Sequence, residues 1–149
     1  MPAVLHAADG LTVRIQLLDP AGYPRWPTET TDLIQRYDDA PPARLMVPTR
    51  AALTAAKTVA WHDRHAPRDL YDLWGLSIVH AIDTAAAALF ASLGPTGNVP
   101  RGWIFRDTPS TADWTTQLGY QTRIAVSAHD AVTTVRKAWE LAAHESGGI

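Results

Sequence analysis

The chain has 149 residues, a formal net charge of −2 and no cysteine. That length allows a core of ordinary size in one domain spanning 1–149, and the missing thiols exclude disulfides, thiolate catalysis and zinc–thiolate sites. The weak charge gives no global field toward nucleic acid, no apolar run reaches the ~20 residues of a membrane span, and Met1 opens no signal peptide, so a cytoplasmic protein with no membrane contact is expected.

The first part, 1–48, reads as strand and proline-rich connection. Ala3-Val4-Leu5 and Thr12 to Leu17 are β-prone runs separated by a turn at Ala8-Asp9-Gly10. Val13, Ile15 and Leu17 alternate with Thr12, Arg14 and Gln16, the period of a half-buried strand. From Asp19 to Pro48 come Pro20, Pro24, Pro27, Pro41, Pro42 and Pro48. Their rings interrupt both helix and ladder, leaving room for a short helix at Thr31 to Tyr37 and a strand near Arg44 to Val47. Trp26, in this connection, is the tryptophan expected to be exposed.

The second part, 49–149, reads as helical. Thr49 caps a helix over Arg50 to Arg64, rich in alanine. Pro67 opens the next, to about His80, with Leu70, Leu73, Trp74 and Ile78 as its apolar side. Asp83 caps a helix through Leu93, stopped by Gly94-Pro95. A Gly- and Pro-rich loop to Pro109 holds a short strand at Trp103 to Phe105. Ser110 caps a brief helix with Trp114 and Leu118, and a last helix runs from Ala128 to His144. The fold class is α+β: short N-terminal strands followed by a helical bundle.

Charged residues concentrate at one helix junction. Only Lys57 and Lys137 are lysines among thirteen basic residues, so Lys57 stands out in an arginine-preferring chain. At 3.6 residues per turn Lys57, Trp61 and Arg64 share a face, with Leu53 a turn earlier. After the break at His65-Ala66-Pro67, Asp69 and Asp72 share the face of the next helix, and Arg68 stands four residues before Asp72, the spacing of an ion pair. An ammonium and carboxylates brought together here suit a triphosphate and its metal ions. Taken alone, these residues also fit a solvated lysine and ordinary first-turn acids.

Lys57-Thr58-Val59-Ala60, Arg64 and Arg68-Asp69-Leu70-Tyr71-Asp72-Leu73-Trp74 resemble the C-terminal motifs of the AbiEii/AbiGii toxin family, minimal nucleotidyltransferases of toxin–antitoxin systems. The similarity extends over Leu11 to Glu140. It implies transfer of a nucleoside monophosphate from an NTP to RNA, with the tRNA 3′ end as acceptor, magnesium as cofactor and an antitoxin as protein partner. It assigns Lys57 to the nucleotide phosphates and a catalytic role to Asp72, with Asp69 second and Arg64 and Arg68 as further phosphate ligands. Arg101, Arg106 and Arg123 are weaker candidates for holding the acceptor. The family's Gly-Ser turn and Asp-x-Asp strand, which carry its magnesium ligands, have no counterpart: Gly10 is followed by Leu-Thr, and Asp38-Asp39 lacks the glycine turn. The metal ligands are therefore unknown, and efficient transfer by this polypeptide alone is not expected.

Two rivals remain at this level. One is a non-catalytic remnant that binds nucleotide, RNA or an antitoxin. The other is an HD-type metal phosphohydrolase built on His62-Asp63-Arg64-His65 with His80 and Asp83.

Overall fold

The computed structural model describes residues 2–16, 21–36, 38–39, 41–120 and 123–147. Two antiparallel hairpins precede the helices. The first pairs β1 (Pro2–His6) with β2 (Thr12–Gln16), and the second pairs β3 (Thr28–Asp32) with β4 (Arg44–Pro48). In the first, Gly10 turns the chain at φ 86°, and Asp9 accepts the Leu11 N–H at 3.0 Å. The register places Leu5 opposite Val13 and Ala3 opposite Ile15, so one face is wholly apolar. The alternation expected in β2 is present, but Val13 and Ile15 are exposed. Leu17 lies outside the described residues.

The helix expected at Thr31 to Tyr37 is not formed. Thr31 and Asp32 end β3, and Tyr37 lies outside the described residues. β-Branched Thr28, Thr30 and Thr31 suit a pleated ladder, and Asp32 meets Arg44 across it at 2.9 Å. Local helical spacing gave way to a partner strand that the local sequence does not reveal. The strand near Arg44 to Val47 is observed.

Five helices follow: α1 (Arg50–Arg64), α2 (Pro67–Ile78), α3 (Thr84–Leu93), α4 (Thr111–Leu118) and α5 (Ala128–Ser146). The expected caps Thr49, Asp83 and Ser110 are in place, and Ser127, not foreseen, caps α5. Thr49, Asp83, Ser110 and Ser127 accept the N–H of the residue three positions on. Ser110 and Ser127 also donate their hydroxyls to Asp113 and Asp130 at 2.7 Å, closing both caps from the side chain. α1 ends at His65 in the left-handed region (φ 49°), its N–H donating to Trp61 O, and Pro67 starts α2 where no N–H is required.

Trp61, Leu70, Leu73, Phe90, Phe105, Val135 and Trp139 form the centre of a core shared by α1, α2, α3 and α5, with α4 packed on α2. Segment Gly102–Phe105 is a 3₁₀ turn rather than the expected strand. Among the described residues no strand pairs with it; instead the Ile104 carbonyl accepts the Trp61 indole N–H at 2.9 Å, which pins the loop to the core. Trp26 is half-buried against the core, and Trp103 is the more exposed of the two. Ile78, expected on the apolar side of α2, is exposed.

Candidate functional site

α1 and α2 meet at the sharp break around His65, and the first turn of α2 is laid against the last two turns of α1. Asp69, in that first turn, is fully buried at 0% exposure. A buried carboxylate is costly unless paired and hydrogen-bonded. Asp69 meets the requirement from two positions on one face of α1. Arg64 grips it with both arms of the guanidinium, Nε at 2.6 Å and Nη2 at 2.8 Å. Lys57 Nζ, two turns earlier, stands 3.6 Å from Oδ1, the oxygen that accepts from Arg64 Nη2. Lys57 reaches Asp72 still more closely, at 2.5 Å. The pairing with Asp69, chiefly through hydrogen bonding, raises the Arg64 pKa further above its ordinary value.

Lys57, Arg64, Asp69 and Asp72 thus form one connected group, as their spacing led us to expect. Trp61 turns inward to the core. Within the group the two acids differ in depth. Asp69, ranked second from the sequence, is the buried centre; Asp72 lies at the rim, 46% exposed, beside a Lys57 side chain that is 31% exposed. Arg68 is exposed, and Asp72 pairs with Lys57 in place of it. The difference is one of depth: helical spacing tells which face a residue occupies, whereas the packing of α2 on α1 decides which carboxylate is enclosed.

Two grooves flank this ridge. One, about 410 Å³, runs between α1 and α2 and is lined by Leu53, Lys57, Tyr71, Asp72, Gly75 and Leu76. The other, about 350 Å³, lies between α1 and the loop carrying Tyr23 and Trp26, and Arg64 forms part of its wall. Tyr23 and Trp26 were absent from the sequence-level site. Their signal was weak: two aromatic residues set among Gly22, Pro24 and Pro27 in a connection with no period.

The remaining candidates are dispersed. Arg101 borders a groove with Glu140 and His144, Arg106 is exposed after the 3₁₀ turn, and the Arg123 carbonyl accepts the Tyr71 hydroxyl at 3.4 Å. His62 lies 3.3 Å from Asp63 and edge-on to Trp103, while His65 packs on Trp61. Asp83 caps α3. Among the described residues, no three His, Asp or Glu side chains gather as metal ligands would, and the phosphohydrolase constellation is not assembled.

This arrangement is a ridge of two cations, Lys57 and Arg64, organised by a buried acid and flanked by a rim acid. The chain belongs to the AbiEii family of nucleotidyltransferase toxins of type IV toxin–antitoxin systems, whose model matches residues 1–140. The match starts ten residues before the similarity legible at Leu11, and so takes in both hairpins. No curated protein and no solved structure gives a significant match. Membership implies an antitoxin partner and, for nucleotidyl transfer in general, a divalent ion. The acids beside Lys57 do not fit such an ion as arranged. Both oxygens of Asp69 are held by Arg64, and the near oxygen of Asp72 is held by Lys57. No helix among the described residues is long and apolar enough to cross a membrane.

Proposed function

We propose that this chain is a cytoplasmic toxin that binds a nucleoside triphosphate at the Lys57–Arg64 ridge and transfers its nucleoside monophosphate to RNA, with the 3′ end of tRNA as acceptor. The acceptor hydroxyl oxygen bonds to the α-phosphorus, the bond from that phosphorus to the β-bridging oxygen breaks, and pyrophosphate leaves. Lys57 moves from Asp72 to the phosphates on nucleotide entry and neutralises charge growing on them. Asp72, released at the rim, takes the proton of the acceptor hydroxyl. Asp69 positions Lys57 and Arg64 from below, and Arg68 offers an outer phosphate contact. A magnesium ion would supply further charge neutralisation when bound.

The observation that carries this reading is a fully buried Asp69 holding Arg64 and Lys57 on one helix face. The test is incubation with each labelled NTP, magnesium and total tRNA. Slow labelling of RNA is expected, since the family's Asp-x-Asp strand has no counterpart here, and it is lost in Lys57→Ala. A second reading, nucleotide binding without transfer, is favoured by the same acids being already paired to cations; it predicts NTP binding with no labelled RNA.

A further inference from the structure

The groove between α1 and the Tyr23–Trp26 loop has the make-up of a site for a flat heterocycle. Tyr23 and Trp26 give it an aromatic wall, while Ala56 and Ala60 give it a floor of small side chains. Asp63 and Arg64 supply its polar rim. Its volume, about 350 Å³, lies in the range of ligand pockets. The wall is preformed. The Trp26 N–H donates to Pro24 O at 2.9 Å, the Thr49 N–H donates to Pro27 O at 2.9 Å, and the Trp26 ring packs against the core.

The border matters most. Ala60 lies on α1 between Lys57 and Arg64, so the groove opens directly beside the cation ridge. A ligand with a flat base at one end and phosphates at the other spans both. Resting on the phosphate reading above, the geometry points to this groove as the nucleobase site: the base stacks on the Tyr23–Trp26 wall and the phosphates run out along Arg64 and Lys57. A base face stacks on an aromatic ring whatever its sequence identity, so the groove supplies affinity for the nucleoside that the ridge alone does not.

The test compares NTP with inorganic tripolyphosphate by calorimetry on the full chain. Wild type is expected to bind NTP more tightly than tripolyphosphate. Ala56→Leu, which fills the groove, and Tyr23→Ala, which removes part of the wall from an exposed position, are each expected to weaken NTP roughly ten-fold, the loss of a stacked base. Both should leave tripolyphosphate binding unchanged. Lys57→Ala is expected to weaken both ligands. If both folded groove variants keep the wild-type ratio of NTP to tripolyphosphate affinity, the groove does not hold the base, and the phosphate reading stands. If neither ligand binds wild type, the phosphate reading falls and takes this site with it.

Discussion

Replacing Arg64 by alanine removes both short bonds to a carboxylate that has no access to water. Breaking a buried pair by deleting one partner costs about 3–5 kcal/mol, because the remaining charge is left uncompensated. Two features lower that figure here. The Arg64 side chain is 50% exposed, so water enters the space it leaves, and Lys57 already stands 3.6 Å from Asp69. We therefore expect a loss of about 2–3 kcal/mol, a large share of the ~5–15 kcal/mol of an ordinary domain. With a urea slope of roughly 2 kcal/mol/M, the midpoint moves down by about 1–1.5 M. Arg64→Lys keeps the charge but loses the forked geometry, and should fall between wild type and Arg64→Ala. Arg68→Ala, on the exposed side of α2, should stay within ~0.5 kcal/mol. Equal midpoints for Arg64→Ala and Arg68→Ala would show that Asp69 does not depend on its guanidinium, and the ridge would lose its foundation.

Asp72→Asn should reduce nucleotide transfer to labelled tRNA at least ten-fold while leaving the urea midpoint near wild type, since Asp72 sits at the rim. Asp69→Asn should lower transfer and midpoint together, by about 1–2 kcal/mol in stability, because both cations lose their buried counter-charge. Two tryptophan replacements should differ. Trp61→Phe leaves the buried Ile104 carbonyl without its indole donor, whereas Trp139→Phe removes an indole N–H that has no partner among the described residues. Thermal melts should show the larger loss for Trp61→Phe, by about 1 kcal/mol. Equal losses would place the whole cost in lost volume.

The helical part was legible because its signals are local. Thr49, Asp83, Ser110 and Ser127 cap the helices they precede, and Pro67 and Gly94 mark ends, whatever the rest of the chain does. The misreadings share one cause, a partner distant in sequence. β3 needs β4, twelve residues beyond it, to be a strand at all. The 3₁₀ turn at Gly102–Phe105 is held by Trp61, 43 residues earlier in the chain. Trp26 is covered because Pro27 is tied to the start of α1.

The same division holds within the site. That Lys57, Arg64, Asp69 and Asp72 would converge follows from two helical periods meeting at a proline break. Which acid would be the anchor does not, because burial belongs to the pair of helices and not to either alone. Once Asp69 is enclosed, the chemistry of the group is constrained. With Arg64 and Lys57 both set against it, Asp69 is placed to fix their positions. Lys57 is the one member shared between the buried acid and the rim acid, and it is the cation with a flexible stem. On the proposed reading, a phosphate drawing Lys57 outward would leave Asp69 still held by Arg64 and set Asp72 free. Arg64 therefore makes the motion of Lys57 affordable: without it, moving the lysine would strand a buried charge. Arg64→Ala should accordingly weaken tripolyphosphate binding even where the protein remains folded, by more than the loss of its own phosphate contact.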